Sequence, residues 1–348
     1  MTGIAEYDFQ LPGNLIAQHP LENRIDARLM VVNRQDASIS HYHVRDLPEM
    51  LRDGDCLVIN NSRVIPARLV GFRTLTRGRW QGLVLSAEDD GPWQIMSNTR
   101  GRIQPGETVT LEDREGRPGI ELRLLAKLDG GTWAARPETE GRGEVVLAQY
   151  GRVPLPPYIR GGEMVDRDIE DYQTVYASSD GSVAAPTAGL HFTGDLLASI
   201  RDLGTTITEL TLHVGLGTFR PVSCDRLEDH QMHAEWGVVG SEAVQAVRDT
   251  RSNGGRVIAV GTTSARLLET ASRDGELTCW EGETDIFIFP PFEFQSTDAL
   301  MTNFHLPRST LLMMVRAFGG DELIRRAYVE AINEEYRFYS YGDTMLIL

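Results

Sequence analysis

Four of the eight histidines in this sequence lie in phrases whose residue types could bring an imidazole to a ligand. His191 lies in Ala184-Ala-Pro-Thr-Ala-Gly-Leu-His-Phe-Thr193, a Gly/Pro-marked loop ahead of a helical pattern. His213 lies in Thr211-Leu-His-Val-Gly-Leu-Gly-Thr-Phe219, at a strand end followed by two glycines that permit close backbone approach to a ligand. His305 sits in Thr302-Asn-Phe-His-Leu-Pro307, and His233 in His230-Gln-Met-His-Ala-Glu235. Imidazoles near neutral pKa can act as acid, base or hydrogen-bond donor. A buried structural histidine is the alternative reading at each position.

Three further stretches carry polar chemistry. Gly255-Arg-Val-Ile-Ala-Val-Gly-Thr-Thr-Ser264 reads as a strand, a tight glycine–hydroxyl turn and a helix. That turn aims backbone N–H groups and a positive helix end at an anion or at polar ligand atoms, unless it is only a capped junction. It is neither a Walker loop nor a Gly-x-Gly-x-x-Gly turn. The His-x-x-His-x-Glu spacing of 230–235 invites a metal, but it lacks the zincin order and a nearby cysteine. Polar contacts from a helix face, or contacts to substrate, are expected there instead, and no metal is. Finally, Arg63, Arg68, Arg73, Arg77 and Arg79 fall between Asn60 and Ala87 with no carboxylate among them, and Arg100 and Arg102 follow. This is either a solvated basic edge or an RNA footprint, in which Arg63, Arg68 and Arg73 would clamp phosphate at a domain junction.

The elements that must position these residues change texture along the chain. Arg28–Asn33 and Cys56–Asn60 read as strands flanking a short helix at Leu47–Arg52, which suggests an α/β layer. From about 68 to 149 short apolar runs recur at Trp80–Ser86, Thr108–Glu112, Ile120–Ala126 and Thr132–Ala135, with no useful helical period, as in a small barrel. The rest returns to α/β. Helices are expected at Thr193–Leu203, Ser241–Ser252, Thr263–Ala271, Ser309–Phe318 and from Asp321 to about Tyr336. Strands are expected at Thr206–Val214, Val257–Val260, Asp285–Phe289 and Met345–Leu348. The layout is one mixed-sheet α/β/α domain made from 1–67 plus 150–348, with a β-barrel domain inserted at 68–149.

With 348 residues, 41% hydrophobic and 24% charged, the composition is that of a soluble globular chain of about two domains. No apolar run is long enough for a membrane span, and Met1–Pro20 lacks the pattern of a signal peptide. Cys56, Cys224 and Cys279 form neither a disulfide framework nor a Cys-x-x-Cys pair, which favours the cytoplasm. A net charge of −16 argues against nucleic acid on average, so any RNA site must be local.

In order along the chain, ten phrases resemble one family. They include Tyr7-Asp8-Phe9, Val64-Ile-Pro-Ala-Arg68, Pro154-Leu-Pro-Pro-Tyr-Ile159, Tyr172-Gln-Thr-Val-Tyr-Ala177 and Tyr336-Arg-Phe-Tyr-Ser-Tyr-Gly-Asp343, besides the histidine phrases above and Ala259-Val-Gly-Thr-Thr263. The chain is similar to the S-adenosylmethionine:tRNA ribosyltransferase-isomerases, the QueA family, with a weaker match over about 69–149. The resemblance implies transfer and isomerisation of the ribosyl part of S-adenosylmethionine onto 7-aminomethyl-7-deazaguanine at the tRNA wobble position. Epoxyqueuosine-tRNA, adenine and methionine would be the products, and the tRNAs those for Asp, Asn, His and Tyr. It further implies an α/β domain with an inserted β-barrel, a monomer, and no cofactor or metal beyond S-adenosylmethionine, which is a substrate.

That chemistry needs a base to remove a proton beside the sulfonium and an acid to protonate departing adenine. His191, His213, His233 and His305 are the candidates. Gly215, Gly217, Thr218, Thr262, Thr263 and Arg266 are expected to contact the cofactor-like substrate, with Asp343 as a polar anchor. Two departures from the family pattern stand out. Asn61 replaces a usual aspartate, and Pro290-Pro291-Phe292 replaces Pro-Gly-Tyr. Two other classes are weighed against this one, an ordinary methyltransferase and a silent tRNA-binding module. The absence of an early Gly-x-Gly loop disfavours the first, and retention of the four histidines disfavours the second.

Overall fold

The computed structural model describes residues 3–87, 91–139, 142–215 and 226–348. They fall into two compact units. One comprises Met1–Arg63, Pro156–Gly161 and Ile169–Leu348, the other Val64–Leu155 and Gly162–Asp168.

In the larger unit the apolar runs make a nine-stranded mixed sheet. Its order is Trp280–Thr284, Glu235–Val239, Thr206–Leu212, Cys56–Asn60, Val257–Val260, Ala299–Asn303, Thr344–Ile347, Arg28–Asn33 and Ser38–His43. The four strands from Thr206–Leu212 to Ala299–Asn303 run parallel. Cys56–Asn60 and Val257–Val260 are buried at every residue, because helices cover both faces and leave no side for polar groups. Strand alternation divides their side chains between two cores. Cys56, Val58, Val257 and Ala259 pack under the helices Ser241–Ser252, Thr262–Ala271, Thr310–Gly319 and Asp321–Asn333. Leu57, Ile59, Ile258 and Val260 pack instead with the helix Gly194–Asp202, capped by the Thr193 hydroxyl.

The smaller unit is a closed antiparallel barrel in the order Trp133–Pro137, Trp93–Thr99, Arg79–Ser86, Arg68–Arg73, Thr108–Glu112 and Pro118–Lys127. Alternation is clear on Arg79–Ser86. Trp80, Gly82 and Val84 are buried, while Arg79 and Gln81 are exposed. The unit extends beyond the 68–149 stretch singled out by strand spacing, because Arg152 pairs with Arg68 through its backbone and Met164 accepts from the Val153 N–H. No described helix is long and apolar enough to cross a membrane.

Four local readings need correction. Gly143–Tyr150 is a helix inside the stretch read as all-β, and its Tyr150 ring occupies the space a side chain at Gly119 would fill. Asp285–Phe289 is not a strand. The ladder ends at Thr284, and Phe287 and Phe289 instead pack on each other with centroids 4.8 Å apart. Residues 230–235 form no helix but lead directly into the strand Glu235–Val239. The helix read from Thr263 begins one residue earlier, at Thr262, with Gly261 at its N-cap position.

One ion pair ties the central parallel strands at their beginnings. Asp55, almost fully buried, accepts from the Arg256 backbone N–H at 3.0 Å and from its guanidinium at 2.5 and 3.2 Å, and from the Arg52 N–H at 2.9 Å. Burial pushes the Asp55 carboxyl up, but Arg256 and these N–H donors outweigh it and hold the group below the ordinary carboxylate value. A carboxyl depressed on folding contributes stability above its unfolded pKa and loses it as pH falls through the folded one. Asp55→Ala should therefore cost about 3–5 kcal/mol at neutral pH, read from urea unfolding, and should shrink the acid-side loss of stability.

Candidate active site

The parallel strands deliver their C-terminal ends to one pocket in the larger unit. Val214 follows the strand Thr206–Leu212, Gly261 to Thr263 follow Val257–Val260, and Thr302 to Leu306 end and follow Ala299–Asn303. Ala184 to Ala188, Tyr158, Tyr172, Tyr339 and Ser340 complete the wall. The space between these atoms, counting the open mouth, is about 720 Å³.

Gly261 makes the turn possible. Its φ of 92° lies where an L side chain is strained, and it starts the ten-residue helix with no side-chain cap. The helix N-terminus therefore faces the pocket without a protein anion to satisfy it. Thr263 adds a buried hydroxyl with no hydrogen-bond partner among the described residues. A second helix, Thr310–Gly319, also begins at the wall, where Ser309 caps it by accepting from the Leu312 N–H.

Aromatic rings form another part of the lining. Tyr158 and Tyr339 have centroids 4.6 Å apart, and the Tyr158 hydroxyl meets Ser340 at 2.8 Å. Burial pushes the Tyr158 phenol up to about 12, so it stays neutral. Such faces attract a cation. Sequence reasoning does not single these rings out as site residues. Their signal lies in the phrases Pro154–Ile159 and Tyr336–Asp343, which come together only through the fold.

Of the four histidines, His305 lines this pocket. Its Nε2 pairs with the Thr302 hydroxyl at 2.7 Å, and its backbone N–H donates to the Tyr328 hydroxyl. Desolvation pushes its imidazole down to about 3. His191 lies behind the wall, with Nε2 3.2 Å from the Asn303 amide, whose oxygen accepts from Thr187. Desolvation, then the charges of Arg24 and Arg337, also bring it to about 3. Both rings are thus neutral at pH 7, which is not the near-neutral pKa that proton exchange calls for.

His213 sits just past the strand end, adjacent to Val214 of the wall. Its Nδ1 meets the Ser62 hydroxyl at 2.7 Å and its ring stacks on Trp236 at 5.2 Å. Desolvation lowers its pKa, and Asp180 opposes that shift. His233 is exposed on the segment before Glu235 and is not part of the pocket wall.

The other expected contacts divide likewise. Thr262 and Thr263 line the pocket. The Gly215 N–H donates to Glu235, which also takes the Arg266 guanidinium at 2.5 Å. Arg266 is buried, and its Nε and second terminal nitrogen have no partner among the described residues. Gly217 and Thr218 lie outside the described residues. Asp343 accepts from the backbone N–H groups of Arg28 and Arg337, which makes it an anchor of the last turn rather than pocket lining. With Glu235 committed to Arg266, the His-x-x-His-x-Glu spacing places no third ligand beside its histidines. No cluster of three metal-ligating side chains occurs among the described residues.

The three arginines read as an RNA clamp are engaged within the protein. Arg63 donates twice to the Ala177 carbonyl, Arg68 to the carbonyls of Gly162 and Leu155, and Arg73 to Glu107 at 2.6 and 3.0 Å. Asn61, where the family pattern has aspartate, uses both ends of its amide. It accepts from the Thr211 hydroxyl at 2.7 Å and donates to Glu209 at 3.0 Å, a contact a carboxylate could not make.

A pocket at the carboxyl ends of parallel strands is where α/β enzymes bind small molecules. The family model described as queuosine biosynthesis protein matches residues 4–347. S-adenosylmethionine:tRNA ribosyltransferase-isomerases from Natranaerobius thermophilus and Symbiobacterium thermophilum are 46% and 48% identical, each over 99% of both chains. The crystal structure of an S-adenosylmethionine tRNA ribosyltransferase from Thermotoga maritima is 34% identical, with a TM-score of 0.56 over 99% of this chain and 100% of that one. The chain belongs to this family of queuosine biosynthesis proteins, the S-adenosylmethionine:tRNA ribosyltransferase-isomerases.

The seat of His213 depends on a second glycine. Gly181 has φ 141°, and a Cβ there would lie 2.8 Å from the His213 Nε2. Gly181→Ala should displace the ring from Trp236 and Ser62. The His213 pKa should then rise towards the ordinary value of about 6.5. An NMR titration of the imidazole checks this.

Proposed function

We propose that this chain transfers the ribosyl moiety of S-adenosylmethionine to 7-aminomethyl-7-deazaguanine at the wobble position of tRNA and isomerises it there. The products are epoxyqueuosine-tRNA, adenine and methionine, and the acceptors are the tRNAs for Asp, Asn, His and Tyr. The enzyme works as a cytoplasmic monomer with no cofactor beyond S-adenosylmethionine, its ribosyl donor. The observation that carries this reading is the pocket around Gly261–Thr263, with a buried hydroxyl that has no partner among the described residues. An unmet buried hydroxyl is unfavourable by roughly 1–3 kcal/mol unless a ligand or water completes it.

The wall suits each part of the donor. The helix N-termini favour a carboxylate or polar sugar atoms, and the Tyr158 and Tyr339 rings favour the sulfonium. The positive sulfur acidifies the attached 5′ carbon, so the first chemical demand is a base. Adenine then leaves with a proton. His305, neutral and tied to Thr302, serves as a hydrogen-bonding group, and His213, partnered by Ser62, is the titrating one.

Three measurements test this. Labelled S-adenosylmethionine and tRNA carrying the aminomethyl base should give adenine release coupled to labelled tRNA. Methylated RNA would mean a methyltransferase, and binding without turnover a silent module. Thr263→Val should weaken S-adenosylmethionine binding about tenfold by calorimetry, while thermal stability holds or improves, because the unmet hydroxyl is gone. Since the His213 pKa lies below its ordinary value, the base form dominates at pH 7. Turnover should therefore hold at the ordinary imidazole value of about 6.5 and fall only at lower pH, and His213→Gln should cut the rate steeply and remove that acid limb from the residual activity.

A further inference from the structure

The unpaired arginines of the barrel are not those that the sequence pattern favours. Arg77, Arg79, Arg100 and Arg102 are exposed, and none makes a side-chain ion pair among the described residues. Two acid-free stretches of sequence, 60–87 and 91–106, contribute them. The barrel lays those stretches side by side, with Trp80 opposite Thr99 and Gln81 opposite Asn98. The same register brings Arg79 to the level of Arg100, at the end of the hairpin remote from its connection.

Like charges at neighbouring strand positions repel, so an arrangement that leaves both uncompensated calls for an outside anion. Arg79 and Arg100 line one shallow groove with Gln81, Asn98 and Thr99, besides Val70 and Trp80, and no carboxylate is among them. Arg79 also borders the adjacent groove with Arg77, whose guanidinium lies 3.6 Å over the Phe72 ring. Glu112 borders that second groove without forming an ion pair to either arginine. Arg73 holds the site in shape. It donates to the backbone carbonyls of Arg100 and Arg102, while Glu107 neutralises it.

We propose that the barrel groove of Arg79 and Arg100, flanked by Arg77, binds the phosphate backbone of the RNA substrate. Outward alternation presents two forked guanidinium groups and the amides of Gln81 and Asn98 along one strand pair, a surface that positions an RNA without reading its bases. Arg73, Arg68 and Arg63 support the protein rather than the RNA. The inference rests on the tRNA-modifying function proposed above.

The test uses the full-length protein and an in vitro transcribed tRNA for Tyr, with anisotropy read across a salt series. Arg79→Gln/Arg100→Gln should bind roughly tenfold more weakly, and the slope of log affinity against log salt should flatten by roughly 0.7–0.9 for each phosphate no longer neutralised. In turnover, KM for tRNA should rise while kcat at saturating tRNA is kept. Arg79→Lys should restore most of the slope. Arg117→Gln, which alters net charge at a residue already paired to Asp113 and Glu115, should change neither quantity. Unaltered affinity and slope in the double variant would overturn the proposal, as would a comparable effect from Arg117→Gln, which would make it a matter of net charge. Circular dichroism melts confirm that the variants fold. If the wild-type protein itself binds no tRNA, the function proposed above fails, and this surface assignment with it.

Discussion

A single buried amide holds the active-site side of the sheet together. Asn60, fully buried at the end of the central strand, donates to the Leu212 carbonyl at 2.9 Å and accepts from the N–H groups of Leu212 and Ser62 at 3.1 Å. Its side chain acts as an extra rung of the ladder between two parallel strands where the backbone pairing stops. That rung fixes Ser62 on one strand exit and His213 on the other, close enough for their 2.7 Å contact. An apolar residue here would leave two N–H groups and a carbonyl unmet in the interior, so the polar identity of Asn60 is a constraint of the fold.

From that joint outward, the molecule separates charge from chemistry. The pocket is lined by hydroxyls, small residues and aromatic rings, and among the described residues no carboxylate or guanidinium lines it. Aromatic faces of this kind suit a cationic group, which needs no cationic wall around it. The two histidines most deeply embedded at the pocket are held neutral by desolvation. The ring at the strand exit, His213, is less buried; desolvation lowers its pKa too, but Asp180 opposes the shift, and Ser62 holds its Nδ1 at 2.7 Å.

The electrostatics of the chain make sense on the same terms. A chain of −16 can still carry a local anion site when its free arginines are gathered and its other arginines are consumed. Consumption is extensive here. Arg28, Arg34, Arg68, Arg73, Arg152 and Arg256 all donate to backbone carbonyls. Such guanidiniums act as backbone staples, a use for which the planar five-donor group suits better than lysine.

The sequence by itself determined the elements whose pattern is local. Cys56–Asn60, Val257–Val260, Thr108–Glu112 and Ser241–Ser252 are legible to the residue, since continuous burial, alternation or helical period is written into neighbouring side chains. It also determined the family, through ordered phrases spread over the whole chain. Ser38–His43 and Trp280–Thr284 are not legible as strands, because they form the sheet edges and are rich in polar residues, held by pairing rather than by burial. Only the tertiary structure decided which groups meet. It set Thr263 and His305 in one wall, placed His191 behind Asn303, gave Arg63, Arg68 and Arg73 to carbonyls and Glu107, and left Arg79 and Arg100 without an ion pair among the described residues. The physical reason is that pKa and pairing depend on neighbours across strands and between loops, at sequence separations that no local pattern encodes.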